Sequence, residues 1–362
     1  MFEVINENKE ARLGKLKTLH GTVETPFFMP VATKAAVKYV SNEELKKTGT
    51  EVIISNSFVL YLKPGLDYIK QGLHKFMNWD GIMFTDSGGF QMLSEDFLIK
   101  ADDHGVTFRS PFDGQKHLLT PEDVIKIEEH LKADVIMALD DVPHYGKSKE
   151  YIAKSLKRTH HWAERCKEAH TSKQLLFGIA QGGTFRDLRT KSINTLNKLD
   201  FDGMALGGLC IGESKEKMFD MVKLSNQLIP KEKPRYLMGV GSPEDIVESV
   251  DNGVDIFDSC FPTRNARHNH IFTSKGHIKL SNAKYKIDQK PLDEECDCYV
   301  CKNFTRSYLH YLMKVKEPNG MHYVSYHNVY FVQNLIKNIR TSIKEDRFKQ
   351  FKKEFLGNYV KP

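Results

Sequence analysis

Three cysteines fall within six residues, Cys296-Asp-Cys298-Tyr-Val-Cys301. Thiolates so close together suit zinc, which takes four soft or borderline ligands in a tetrahedron. The other three cysteines, Cys166, Cys210 and Cys260, are scattered. A disulfide framework would spread its cysteines across loops, so the cluster points to a metal in a reducing cytoplasm. A fourth ligand must come from elsewhere. His310, His322 and His327 all follow, and spacing alone does not choose among them. Four protein ligands would close the site and make it structural.

A second set of reactive side chains recurs along the chain. Asn56, Asp86, Asp140, Gln181, the Gly207–Gly208 pair, Gly239 and Asp258 each lie at the end of a short apolar run. The runs are Pro26–Ala32, Val52–Ser57, Ile82–Ser87, Asp134–Asp140, Leu175–Gln181, Met204–Leu209, Tyr236–Gly241 and Val254–Ser259. They are rich in Val, Ile, Phe and Met without clean alternation, as strands buried on both faces are. Helix starts follow several of them: Ser41-Asn-Glu-Glu44, Thr120-Pro-Glu-Asp123 and Ser242-Pro-Glu-Asp245 have capping-box spacing. Alternating strands and helices predict a (β/α)8 barrel, with a doubly wound open sheet as the alternative, because a strand count does not establish closure. Any one Asp or Asn could be a simple turn former. In a barrel, though, all the strand ends meet at one rim, where the chemistry of this fold sits.

Two segments interrupt the alternation. Residues 106–119 read as a β-hairpin turning at Asp113-Gly114. After the last strand, a long segment from Cys260 to Asn328 carries the cysteine cluster. It leads to an amphipathic helix with Phe331, Leu335, Ile339 and Ile343 on its apolar side. Lys337, Arg340, Lys344, Arg347 and Lys349 read as its solvated face. The expected organisation is a catalytic barrel over 1–259 and a zinc-binding subdomain with the terminal helix over 260–362, packed on the barrel. The chain has 362 residues, is 40% hydrophobic and 28% charged, and carries a net charge of +6. That composition excludes a disordered chain and admits a polyanionic partner. No apolar stretch reaches the ~18 residues of a membrane span, and the first residues lack a signal-peptide core.

Several motifs, taken together, carry a resemblance. Phe84-Thr-Asp-Ser-Gly-Gly-Phe-Gln91, Phe177-Gly-Ile-Ala-Gln-Gly-Gly183, Ala205-Leu-Gly-Gly-Leu209, Tyr236-Leu-Met-Gly-Val-Gly241 and Phe257-Asp-Ser-Cys-Phe-Pro-Thr-Arg264 resemble, in order, the signatures of the tRNA-guanine transglycosylase (queuine tRNA-ribosyltransferase) family, bacterial type. The likeness runs from about Phe2 to Tyr359. It implies a (β/α)8 barrel with a zinc subdomain. It also implies exchange of guanine in a tRNA for a 7-deazaguanine through a covalent Asp–ribose intermediate. Asp258 matches the family's nucleophile and Asp86 its general acid/base. Asp140, Gln181, Gly208 and Leu209 match its base-pocket positions, Phe90 and Met238 the pair that sandwiches the base, and Ser87 lies beside the acid. Arg264 and Arg267 match contacts to the anticodon loop. The family's zinc pattern places a histidine after 25 residues that intervene beyond the third cysteine, which selects His327.

The resemblance also guides finer expectations. The archaeal branch modifies the D-loop, carries extra C-terminal domains and usually has Ser where this chain has Gly89. The chain ends at Pro362, without room for such domains. The expected target is therefore the wobble position of GUN-anticodon tRNAs. Family members commonly form homodimers. Where bacterial members have Asn-Gly and a small residue after Arg267, this chain has His268-Asn269-His270, a departure expected to alter the loop. Val142 looks eukaryotic and Ile211 bacterial. The bulk of Ile211 favours 7-aminomethyl-7-deazaguanine over queuine, with the Leu209 carbonyl and Glu213 accepting from the aminomethyl group. Queuine salvage, a base-exchanging DNA relative and a non-catalytic RNA-binding zinc protein are the competing readings. The last would require loss of Asp86 or Asp258.

Overall fold

The computed structural model describes residues 1–89 and 96–359. The chain opens with an antiparallel sheet, β1 (Phe2–Asn8), β2 (Ala11–Thr18) and β3 (Gly21–Thr25), which the periodicity analysis did not anticipate. Its strands are half polar, and their apolar residues Phe2, Leu16 and Val23 bury against the inside of the barrel.

Barrel strands follow in the order of the chain: β4 (Phe27–Pro30), β5 (Val52–Asn56) and β6 (Ile82–Asp86). An inserted sheet comes next, with β7 (Leu98–Ala101), β8 (Val106–Arg109) and β9 (Lys116–Leu119). The expected hairpin is β8–β9; β7 is a third strand paired to β8. The barrel resumes with β10 (Val135–Met137), β11 (Leu175–Ala180), β12 (Gly203–Leu206), β13 (Arg235–Leu237) and β14 (Ile256–Ser259). Each pairs in parallel with its neighbour in the chain, and β14 pairs back onto β4. A parallel bridge from Val31 to Ile54 joins β4 to β5. The ring is closed, which rules out the open doubly wound sheet.

The missing alternation has a direct cause. One parity of each strand, including Phe27, Ile54, Phe84, Met137, Phe177, Tyr236 and Ile256, fills the barrel interior. The other parity, including Phe28, Ile53, Met83, Ile136, Leu176, Leu237 and Phe257, packs outward under the helices. Edge-to-face contacts of Phe84 with Phe177 and Tyr236, centroids 5.8 and 6.2 Å apart, tie the interior together. The helices begin where the capping signals put them. Ser41 and Thr120 form full capping boxes with Glu44 and Asp123, and Ser242 accepts from the Asp245 amide.

Beyond β14 the chain forms a short helix, Phe261–Arg267, and a hairpin, β15 (His270–Thr273) with β16 (Gly276–Lys279). The long helix Pro318–Lys344 starts earlier than the apolar stripe alone indicated, and a further helix, Phe348–Tyr359, follows it. Its first turns broke the apolar pattern because they bury polar groups that serve loop backbone. Asn328 accepts from the Phe272 amide and donates to the carbonyls of Pro262 and His270. Gln333 donates to Phe28 of β4, docking this helix on the barrel. Its basic side is only partly free: Arg340 binds the Glu24 carbonyl and Glu51. Among the described residues, no helix is long and apolar enough to cross a membrane.

Candidate active site and metal centre

The inward parity of β6, β11, β13 and β14, carried to the strand ends, brings Asp86, Gln181, Met238 and Asp258 to one rim. Asp258 is held by two donors, the Tyr236 hydroxyl at 2.6 Å and the Gly239 amide at 2.9 Å. Both fall on Oδ1. No hydrogen bond from the described residues falls on Oδ2, the oxygen free to act as a nucleophile. Burial pushes the Asp258 carboxyl above its ordinary range, and the two donors oppose that shift. The Gly239 amide and the phenol of Tyr236 are therefore part of the site, although Tyr236 reads as core from its apolar run.

Asp86 ends the adjacent β6 strand under a different set of constraints. The Asn56 side chain caps its own helix, accepting from the Val59 amide at 2.7 Å. That leaves its amide nitrogen to donate to Asp86 Oδ2 at 2.9 Å. Asp86 Oδ1 is buried without a partner. Burial, with the nearby Asp258 charge adding to it and the Asn56 bond opposing it, raises Asp86 to about 7. A carboxyl at that level can both give and take a proton near neutrality. Outside the barrel, Glu128 is fully buried, and burial holds it well above the usual carboxylate range.

These shifts give a prediction. A raised folded-state value means that the ionised Asp86 destabilises the fold. The fold loses stability as pH rises from the unfolded value near 4 towards about 7. Asp86→Asn is expected to melt higher than the wild type at pH 8, by a few degrees, and to melt equally at pH 4. Any acid–base step that the Asp86 carboxyl serves should fall by ~10²–10⁴-fold in the same variant. Wild-type turnover of a step that needs the acid form should decline as pH rises above ~7, where that form is lost. Calorimetry and a pH–rate profile check both limbs; equal melting at pH 8 would contradict the assignment.

Asp140 lies beyond β10, buried, with Gln181 Nε2 donating to its Oδ2 at 2.6 Å. Burial raises it to about 7, and the charge of Asp141 adds to the effect. Asp141 itself turns away to Arg158 at 2.7 Å. The backbone closes tightly on this pair. A Cβ at Gly89 would stand 2.7 Å from the Asp140 carbonyl, and one at Gly208 would stand 2.3 Å from Gln181 Oε1. Gly208, at φ +65°, also needs a residue free to take that conformation. Leu209 and Ser87 are buried beside these groups in sequence, and Met238 packs on the interior cluster. Phe90 lies outside the described residues. Gln181 Oε1 is buried without a partner. The strand ends thus present carboxyl acceptors, amide donors and a thioether along one rim. A flat heterocycle with both donor and acceptor edges suits that set.

In the C-terminal region, His327 Nδ1 lies 3.8, 3.4 and 3.3 Å from the sulfurs of Cys296, Cys298 and Cys301. These separations bracket the ~3.5 Å edge of a tetrahedron built on metal–sulfur and metal–nitrogen bonds of about 2.3 and 2.0 Å. His327 Nε2 donates to the Phe272 carbonyl at 2.8 Å, which leaves the Nδ1 lone pair facing the thiols. The other two histidines do not join the cluster. His322 binds the Tyr39 carbonyl and Glu44, and His310 is buried elsewhere. The four donors form a closed set consistent with a structural metal.

A profile of the family described as Queuine tRNA-ribosyltransferase matches residues 7–361. The Queuine tRNA-ribosyltransferase of Halothermothrix orenii is 51% identical over 356 residues, covering 98% of this chain and 95% of that protein. Those of Fusobacterium nucleatum and Bacillus subtilis are 48% and 47% identical over 364 residues, each covering 99% of this chain and, respectively, 98% and 96% of the relative. The chain belongs to this family.

Arg264 and Arg267 sit on the helix that follows β14, next to Asp258 in the chain. Neither forms an ion pair with the described residues. Arg264 is exposed, and Arg267 donates only to the Thr263 carbonyl. In the His268-Asn269-His270 stretch, Asn269 takes φ +65°, a left-handed conformation that asparagine adopts more readily than most residues. A cleft of about 590 Å³ between the Asn42–Lys47 and Pro318–Lys344 helices includes Lys47, Lys337, Arg340 and Lys344, and shares no residue with the rim.

Proposed function

We propose that this chain is a tRNA-guanine transglycosylase. It exchanges guanine at the wobble position of GUN-anticodon tRNAs for a 7-deazaguanine, in queuosine biosynthesis. The observation that carries this reading is the pair of unlike carboxyls on one rim. Asp258 has one oxygen pinned and one free, and Asp86 is held near neutrality. Asp258 Oδ2 attacks the ribose C1′ as the C1′–N9 bond breaks and its electron pair leaves with the purine. Asp86 gives that purine its proton. The incoming base loses its N9 proton to Asp86 and attacks C1′, and the ester breaks to return the Asp258 carboxylate. Two displacements retain configuration.

Asp140 accepts from the N1 and exocyclic-amine edge of the base. Gln181 and the Gly208 amide donate to its carbonyl, and Phe90 and Met238 sandwich the ring. Ser87 and Leu209 complete the pocket, while Arg264 and Arg267 take the anticodon loop. Cys296, Cys298, Cys301 and His327 hold one zinc ion that fixes the region between the barrel and the long helix. The working unit is a cytoplasmic homodimer, and the boundary between barrel and zinc subdomain falls near residue 260. Tritiated guanine should enter GUN-anticodon tRNA at the wobble position only, with duplex DNA not competing. Competition by duplex DNA would favour the DNA-acting relative, and no incorporation would refute the reading.

Between bases, 7-aminomethyl-7-deazaguanine is expected to be preferred over queuine. Glu213 accepts from the amides of Cys210 and Ile211, which anchors the loop after β12 beside the Leu209 carbonyl. The branched Ile211 side chain crowds a cyclopentenediol, at a cost of about 1–3 kcal/mol. Competition kinetics with the two bases decide it. A higher kcat/KM for queuine, unchanged by Ile211→Gly, would show that Val142 was the better guide.

A further inference from the structure

Arg189 is fully buried in the Arg186–Lys198 helix. Its Nη1 donates to the carbonyls of Ala180 at 2.7 Å and Gly207 at 3.0 Å, and its Nη2 donates to Gly183 at 2.8 Å. All three acceptors are backbone carbonyls, and no carboxylate of the described residues pairs with it. Burying a cation with no ion-pair partner is costly, and burial lowers the Arg189 guanidinium to about 10 against the favourable charge of Glu213. The fold nevertheless builds around it: a Cβ at Gly182 would lie 2.7 Å from the Arg189 backbone nitrogen. The guanidinium therefore fastens the ends of β11 and β12 together directly behind the rim.

The Gly207 carbonyl shares its peptide with the Gly208 amide. A cation on that oxygen fixes the peptide plane and draws electron density from its nitrogen, which strengthens the N–H as a donor. We propose that Arg189 is a positioning residue for base selection: it orients and polarises the Gly207–Gly208 peptide so that the Gly208 N–H admits a purine with oxygen, not an amine, at C6. This rests on the function proposed above, in which Gly208 meets the base carbonyl. A role confined to stability would weaken every purine alike, whereas this role weakens 6-oxopurines selectively.

The test measures guanine and 2,6-diaminopurine as competitors of exchange into tRNA, for the wild type, Arg189→Met and Arg189→Lys, with melting temperatures in parallel. The wild type should favour guanine by ~10³-fold or more, because a buried donor facing an amine is left unpaired. Arg189→Met should cut that ratio ~10-fold or more, chiefly through guanine, with KM for guanine rising more than kcat falls. Arg189→Lys keeps the cation but reaches fewer carbonyls and should fall between. A ratio unchanged in a folded variant, or equal losses for both purines, overturns the proposal. If Arg189→Met does not fold, the Lys variant decides on the same ratio. A wild type that exchanges guanine without discriminating at C6 would instead sink the Gly208 contact, and with it this role. A wild type that exchanges no guanine would sink the function itself.

Discussion

Asp258→Ala is expected to abolish guanine exchange, by ~10⁴-fold or more, while leaving the fold intact. The large effect follows from the double displacement: without a carboxylate at the end of β14 there is no ester, and water cannot replace it with retention. The small structural effect follows from the surroundings. Asp258 is disfavoured by burial, so its removal relieves a cost. In exchange, the Tyr236 hydroxyl and Gly239 amide lose their shared acceptor, a loss of about 1–3 kcal/mol for a buried donor. The two effects oppose each other, and the melting temperature should move by only a few degrees. Asp258→Asn keeps the acceptor for Tyr236 and should be as inactive with a still smaller change in melting. Activity within tenfold of the wild type in either variant would end the mechanism.

Loss of the metal should have the other large effect, on stability. The purified chain is expected to contain one zinc, and the Cys298→Ser/His327→Ala double variant none. Cys298 also caps the Tyr299–Asn303 helix through the Cys301 amide. His327 binds the Phe272 carbonyl. Removing the metal therefore frees the β15–β16 hairpin from the long helix as well as the cysteine loop. Because metal binding and local folding share one free energy, the loss should be several kcal/mol, concentrated between about residues 270 and 330. Hydrogen exchange should rise there before it rises in β4–β14. Full zinc retention in the double variant, or a barrel that opens first, would contradict the assignment.

How far the sequence discloses this arrangement depends on which physical rule each residue obeys. The barrel strands were legible because burial on both faces removes alternation. The rim was legible because the inward parity of Ile82 and Phe84 continues to Asp86, as that of Phe177 and Ile179 does to Gln181. The β1–β3 sheet was not, since half-buried strands with charged faces look like a solvated leader until a barrel mouth exists to cover Phe2 and Leu16. Tyr236 hid inside an apolar run; only the register of β13 against β14 shows its hydroxyl reaching Asp258. Arg189 looks like an ordinary helix-surface charge, because its carbonyl partners come from the end of one strand and from the loops after β11 and β12, which meet only in the folded chain. His322 and His327 are equivalent by residue type. What separates them is that Tyr39 and Glu44 engage the first and Phe272 orients the second.

The covalent intermediate is the most direct point of attack on the whole account. The enzyme should be incubated with GUN-anticodon tRNA, quenched in denaturant at low pH, and digested for peptide mapping by mass spectrometry. The account predicts a ribonucleotide ester on Asp258, accumulating when no free base is supplied, discharged on adding guanine, and absent from Asp258→Asn. An ester on Asp86, or full guanine exchange with no adduct on Asp258, would contradict it.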